Sequence, residues 1–123
     1  MNTFKLFLAA TFTILSFQPV NAQAPKLTAK QAAAKQTVKV YGQCDMCRKR
    51  IEKAAKRLDG INYAVWDENT QDLVLTYDPA KKDAADNAMK KIASAGHDTE
   101  KYYTSAKAYQ GLPGCCRYNR RPA

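Results

Sequence analysis

The sequence has no internal repeat, no nucleic-acid-binding motif and no apolar run long enough to span a membrane comfortably. Its longest apolar run extends only from Leu6 to Phe17. Because no nucleic-acid motif accompanies the net charge of +9, we interpret the basic residues as a solvated surface and expect no nucleic-acid partner. With 123 residues, the chain is long enough for one small domain.

The N-terminus has the features of a secretory signal peptide. Lys5 supplies a positive charge, the following apolar run supplies the hydrophobic region, and Val20-Asn21-Ala22 supplies a small-residue cleavage site. We expect residues 1–22 to be removed and residues 23–36 to form a flexible leader. The mature chain is then exported, with no transmembrane segment, which means the periplasm if the source is a Gram-negative bacterium. No cysteine lies near the cleavage site, so lipid attachment is not expected.

The hydrophobic pattern predicts the element order βαββαβ. Strands are predicted at residues 37–41, 61–66, 73–77 and 99–104. The two helices are predicted to begin at the N-caps Asp45 and Asp83, and Gly96 is predicted to end the second helix. This order predicts an α+β, ferredoxin-like sandwich, in which two helices cover one face of a four-stranded antiparallel sheet.

All four cysteines lie in the predicted mature chain, at Cys44, Cys47, Cys115 and Cys116. The motif Cys44-Asp45-Met46-Cys47 places two thiols at the N-terminus of a helix, where unpaired N–H groups and the helix dipole stabilise a thiolate. Two thiolates at this spacing can bind one soft ion such as Cu(I) or Hg(II), or supply half of a zinc site. In an exported protein, a disulfide is the alternative.

The order of short motifs resembles the heavy-metal-associated domain family. Gly42-Gln43-Cys44-Asp45-Met46-Cys47 is followed by Ile51-Glu52-Lys53-Ala54, Leu58-Asp59-Gly60-Ile61, Thr76-Tyr77-Asp78-Pro79 and Ile92-Ala93-Ser94-Ala95-Gly96-His97. The resemblance covers roughly residues 37–104. It implies the βαββαβ fold and a metal ion bound by Cys44 and Cys47, with Cu(I) favoured over Hg(II), Zn(II) or Cd(II). It also implies exchange of the ion with a metal-transporting ATPase or another metal-binding protein.

The loop differs from the usual family pattern, Gly-Met-x-Cys-x-x-Cys. Only Gln43 separates Gly42 from Cys44, so the loop is one residue shorter. The resemblance implies that the loop containing His97, the only histidine, faces the metal. His97 is therefore a candidate third ligand or a hydrogen-bond donor to a ligand, and a solvated loop residue is the alternative.

Cys115 and Cys116 are further candidate ligands, carried by a tail of residues 105–123. The tail is long enough to return along the domain to the metal end, and Tyr109 and Leu112 are apolar enough to anchor it. There the two cysteines could complete a three- or four-sulfur site, or form a disulfide with the first pair. The alternative is a disordered tail with incidental thiols.

The sequence therefore predicts an exported protein that binds a soft metal ion and transfers or sequesters it, with no catalytic residues. A thiol–disulfide oxidoreductase is an alternative, since a strand, a CxxC motif and a helix also begin a thioredoxin-like active site. However, no tryptophan precedes Cys44 and no proline lies inside the motif. A disulfide-stapled interaction module is the third class.

Overall fold

The computed structural model describes residues 32–123, so the predicted signal peptide and most of the predicted leader lie outside the described residues. The elements are β1 (Ala34–Lys39), α1 (Asp45–Lys56), β2 (Ile61–Trp66), β3 (Asp72–Tyr77), α2 (Ala84–Ser94), α3 (Ala106–Gln110) and a short 3-10 helix (Gly114–Cys116). β1 begins earlier than expected, so residues 34–36 belong to the sheet rather than to the leader. In this part of the chain, no helix is long and apolar enough to cross a membrane.

The three strands form an antiparallel sheet in the order β1-β3-β2, with β3 in the centre. Alternate strand residues face α1 and α2 and are buried, as the period of a half-covered sheet requires; they include Val38, Ala64, Trp66, Leu73 and Leu75. Tyr63 and Val65 point to the other face and are exposed. The predicted α+β class is confirmed.

The predicted fourth strand, residues 99–104, is wrong. This segment contributes one isolated bridge, between Val40 and Thr99, and the sheet formed within residues 32–123 has three strands. The Thr99 hydroxyl accepts hydrogen bonds from the backbone N–H groups of Lys101 and Tyr102, at 3.3 and 2.9 Å. Threonine side chains commonly close turns in this way. Glu100 still hydrogen-bonds to Lys39 of β1, and this turn then ends the pairing with β1.

The helix ends differ from the prediction at one position. Cys44 is the N-cap of α1, and Asp45, predicted as the cap, is the first helical residue and pairs with Arg48. α2 begins after the N-cap Asp83, as predicted. Gly96 follows the end of α2 with φ +110°, a conformation that glycine adopts without strain.

Trp66 links the core to the loop that precedes α1. Its side chain is buried, and its Nε1 donates a hydrogen bond of 2.9 Å to the carbonyl of Val40. A Cβ added at Gly42 would lie 2.9 Å from the Trp66 ring and 3.1 Å from the Cβ of Cys47. Glycine at this position therefore allows the loop to pack directly against the indole.

The C-terminal tail folds back onto the domain. Leu112 is buried against Gly96, and Tyr118 is also buried. The Tyr118 hydroxyl accepts a hydrogen bond of 2.7 Å from the backbone N–H of Asp98 and donates one of 2.9 Å to the carbonyl of Gly96. Tyr109 donates from its hydroxyl to the Tyr118 carbonyl, at 2.7 Å. Of the two residues predicted as anchors, Leu112 packs against Gly96 of the domain, whereas Tyr109 contacts Tyr118 within the tail.

An ion pair between the buried Asp98 and the partly exposed Arg120 fixes the end of the tail. The Asp98 carboxylate is fully buried and accepts hydrogen bonds from Arg120 Nε at 2.6 Å, from the Thr104 N–H at 2.8 Å and from the Arg121 N–H at 3.2 Å. Burial raises the pKa of Asp98, but the hydrogen bonds from Arg120 and the two backbone amides outweigh it, so the pKa lies below its usual value. Asp98 therefore stays ionised at neutral pH.

Arg120→Ala should lower the free energy of unfolding by about 2 kcal/mol, because it leaves the buried Asp98 carboxylate with backbone donors only. Arg117→Ala is the matched control, since Arg117 makes one exposed hydrogen bond, to the Gln110 carbonyl. Urea unfolding followed by circular dichroism measures both variants. Equal stabilities for the two would show that the ion pair does not hold the tail.

Candidate metal centre

Cys44 and Cys47 are brought together by the first turn of α1. Cys44 is the N-cap residue and Cys47 lies within the first turn, and their Sγ atoms are 3.2 Å apart. Cys44 is partly exposed, whereas Cys47 is fully buried. The pair therefore has one sulfur that solvent reaches and one that is held in the core.

The tail brings its two cysteines to the same place. Cys116 Sγ lies 3.4 Å from Cys44 Sγ, and Cys115 Sγ lies 3.9 Å from Cys116 Sγ. The sulfurs of Cys44, Cys115 and Cys116 all lie within 4.8 Å of one another, and Cys47 joins them through Cys44. We refer to these four cysteines as the thiol cluster. Gln43 fastens the loop to the tail by donating from Nε2 to the Cys115 carbonyl, at 2.8 Å.

The thiol cluster has a thioether at its outer edge. The Cys115 thiol donates to Met46 Sδ at 3.4 Å, and the Met46 side chain is 49% exposed. Cys115 is exposed as well, whereas Cys116 is buried. Sulfur atoms thus extend from the buried Cys47 to the surface.

The pKa values of the thiols differ according to burial and to the direction of their hydrogen bonds. Burial raises the pKa of Cys44, but interactions with the thiol and backbone amide of Cys47, and with Cys116 and Cys115, outweigh it and lower the pKa. Burial raises the pKa of Cys47, and the hydrogen bond with Cys44 adds to that rise. Burial, followed by the hydrogen bonds with Cys47 and Cys44, raises the pKa of Cys116 strongly. Of these three thiols, Cys44 is therefore the one that loses its proton most readily.

His97 lies between the loop and the tail rather than at the surface, so its interpretation as a solvated loop residue is wrong. It is buried, its Nδ1 is 2.9 Å from the Tyr41 carbonyl, and its ring stacks on Tyr118 with centroids 5.2 Å apart. His97 does not belong to the group of Cys44, Cys115 and Cys116, whose sulfur atoms lie within 4.8 Å of one another. These contacts suit a residue that positions the loop and the tail; a direct bond from His97 to metal stays a prediction.

Sequence reasoning missed three residues that hold the thiol cluster together: Gln43, Tyr118 and Arg120. In the sequence, Gln43 was noted only as the single residue between Gly42 and Cys44. Tyr118 is an aromatic residue and Arg120 a basic residue in a polar tail. Both contact Asp98, the acidic residue that follows α2. The pairing of Asp98 with a basic C-terminus was the available signal, but a charge pair across 22 positions cannot be distinguished in the sequence from many others.

The chemistry of the site follows from its donor set. All members of the thiol cluster offer sulfur, and the adjacent Met46 offers a thioether. Thiolate and thioether ligands favour soft ions over Mg²⁺ or Ca²⁺, which prefer oxygen. The thiols that still hold protons must lose them when an ion binds, so binding releases protons to solvent.

A family model described as the heavy-metal-associated domain matches residues 33–98. The match ends before the tail, so the segment that carries Cys115 and Cys116 lies outside it. A search of the curated proteins finds no match.

Several solved structures are similar to part of this chain. The CopZ metallochaperone is 24% identical with a TM-score of 0.50, over 54% of this chain and 98% of that one. Oxidized MerP from Ralstonia metallidurans CH34 is 27% identical with a TM-score of 0.46, over 55% and 96%. The N-terminal domain of the zinc(II) ATPase ZiaA is 31% identical with a TM-score of 0.47, over 55% and 94%. At this level, the likeness to CopZ shows a shared fold.

His97→Gln should flatten the dependence of stability on pH. Burial, and then the charge of Arg50, lowers the pKa of His97, although the Tyr41 carbonyl and Asp98 oppose the shift. The unfolded chain binds a proton near pH 6.5 and the folded chain binds it only at lower pH, so stability is lost as pH falls below about 6.5. Between pH 7.5 and 5.5, the melting temperature of the reduced, metal-free wild type should fall more than that of the variant. Parallel curves would mean that His97 does not titrate in this way.

Proposed function

The chain belongs to the heavy-metal-associated domain family, and from that premise we propose that it is an exported carrier of a soft metal ion, with Cu(I) as the favoured cargo. Cys44 and Cys47 bind the ion, and the protein either sequesters it or transfers it to a metal-transporting ATPase or another metal-binding protein. The N-terminal signal sequence supports export.

One observation supports this proposal most directly: two sulfurs lie 3.2 Å apart at the N-terminus of α1, and one of them is partly exposed with a lowered pKa. A thiolate is the form that binds metal, and an exposed thiolate is the form that a second protein can reach. Cys47 remains buried and holds the ion from the inner side. Such a pair suits ligand exchange, because a partner's sulfur can approach at Cys44 while Cys47 stays bonded.

The preference for Cu(I) rests on the donor atoms. Thiolate ligands suit both Cu(I) and Zn(II), a thioether favours Cu(I), and a structural Zn(II) site takes four ligands in a tetrahedral arrangement. Cys44 and Cys47 alone provide half of that number, so a zinc site would need Cys115 and Cys116 as well. Metal analysis of the protein as purified, followed by competition between Cu(I), Zn(II), Cd(II) and Hg(II), distinguishes the cargoes.

The Cys44→Ser/Cys47→Ser double variant should lose tight Cu(I) binding, because both inner ligands become hydroxyls. The measurement is anaerobic competition with a chromophoric Cu(I) chelator, and unchanged far-ultraviolet circular dichroism confirms that the variant folds. If serine at the buried Cys47 unfolds the protein, Cys44→Ser alone tests the same site at a partly exposed position.

Full-strength Cu(I) binding by the folded variant would contradict the proposed site. A thiol count on the wild type, purified under argon without added reductant, tests the alternative class. A stable disulfide between Cys44 and Cys47 would favour a thiol–disulfide oxidoreductase or a stapled module, whereas free thiols with bound metal favour the carrier.

A further inference from the structure

We propose that the C-terminal tail supplies Cys116 as a third thiolate, so that one ion is held by Cys44, Cys47 and Cys116 together. The inference rests on the proposed function and adds a ligand from outside the segment that matches the family, residues 33–98. It gives the tail a role in metal binding, which a site made of Cys44 and Cys47 alone would not.

The position of Cys116 carries the proposal. Its Sγ is 3.4 Å from that of Cys44, which in turn is 3.2 Å from that of Cys47. The Cys44 sulfur therefore contacts both the Cys47 sulfur and the Cys116 sulfur. Because the sulfurs of Cys47 and Cys116 both contact that of Cys44, rotations of these side chains can bring the three sulfurs around one ion.

Buried contacts of the tail hold Cys116 in place. Leu112 on one side and Tyr118 on the other are both buried, and Cys116 itself is buried between them in the sequence. Tyr118 is fixed by its hydrogen bonds to Gly96 and Asp98, and Arg120 is paired with Asp98. The tail is therefore ordered when the protein folds, and binding of the ion carries no further entropy cost for ordering it. This raises the affinity for the ion.

The structure distinguishes Cys116 from its neighbour. Cys115 is exposed, and its thiol points to Met46 Sδ at 3.4 Å, on the outer side of the thiol cluster. Cys116 is buried and faces the pair on α1. Cys115 also lies within 4.8 Å of Cys44 and Cys116, so a triad of Cys44, Cys115 and Cys116 is the competing arrangement. Only the first arrangement keeps both cysteines of the family motif as ligands.

A third thiolate changes what the carrier does with its ion. Cu(I) and Hg(II) accept three sulfur ligands, and the thiols that remain protonated give their protons to solvent as the ion binds. Release then requires breaking three bonds rather than two. The exposed side of the cluster, at Cys44 and Cys115, is the side from which a partner's thiolate can begin that exchange.

The test compares two matched variants, Cys116→Ser and Cys115→Ser, in the full mature chain. Each is reduced, freed of small thiols and loaded anaerobically with one equivalent of Cu(I). X-ray absorption gives the number of sulfurs bound to copper, and chelator competition gives the affinity. We expect three sulfurs in the wild type and in Cys115→Ser, and two in Cys116→Ser. We also expect Cys116→Ser to weaken binding by about tenfold or more, since loss of a supporting group alone costs that much at metal sites.

The outcomes separate this inference from the proposed function. Two sulfurs in the wild type, or unchanged affinity in Cys116→Ser, would overturn the third ligand while leaving the Cys44–Cys47 site intact. A lower sulfur count in Cys115→Ser but not in Cys116→Ser would overturn it in favour of the competing triad. Tight binding that survives loss of both Cys44 and Cys47 would instead refute the proposed function itself. If serine at the buried Cys116 unfolds the protein, Cys116→Ala provides the same comparison without a buried hydroxyl.

Discussion

The buried carboxylate of Asp98 is the constraint on which the arrangement of the tail depends. A charge without solvent must be compensated, and here Arg120 and backbone N–H groups of Thr104 and Arg121 supply the compensation. The backbone of Asp98 is also fully used, since its carbonyl accepts from Tyr41 and its N–H donates to Tyr118. One residue therefore links the loop after β1, the turn after α2 and the C-terminus.

The contacts around Asp98 also explain how the α1 loop and the tail, which are distant in the sequence, meet at the sulfur atoms. Tyr41 lies three positions before Cys44, and Tyr118 lies two positions after Cys116. His97 packs between them, with Nδ1 near the Tyr41 carbonyl and its ring on Tyr118. The distance between the two thiol-bearing segments is thus set by buried contacts within the protein.

The strongly periodic elements could be predicted from the sequence. α1, β2, β3 and α2 follow from their apolar spacing, and Gly96 follows from the need for a left-handed residue after a helix. The strand expected at 99–104 failed because β-favouring residues there are overridden by the Thr99 hydroxyl, which closes a turn. Helix capping was misjudged by one residue because Asp45 has the usual cap chemistry, while Cys44 occupies the position.

The site was predictable only in part. The pair Cys44 and Cys47 follows from local spacing, which fixes two side chains on one helical turn. Chain length and the apolar residues Tyr109 and Leu112 allowed the return of the tail but did not require it. The sequence could not predict whether Cys115 or Cys116 faces the pair. Adjacent residues in a 3-10 helix point in different directions, and tertiary packing selects between them. The burial of His97 likewise depends on a tyrosine in the tail.

The central claim is that one soft ion binds where the α1 loop and the tail meet. Titration of the reduced, isotopically labelled protein with Cu(I), followed by two-dimensional ¹H–¹⁵N spectra, tests it most directly. The account predicts that the backbone signals of residues 42–48 and of residues 114–118 shift together and stop changing at one equivalent. Shifts confined to the α1 loop, with the tail signals unchanged, would contradict it.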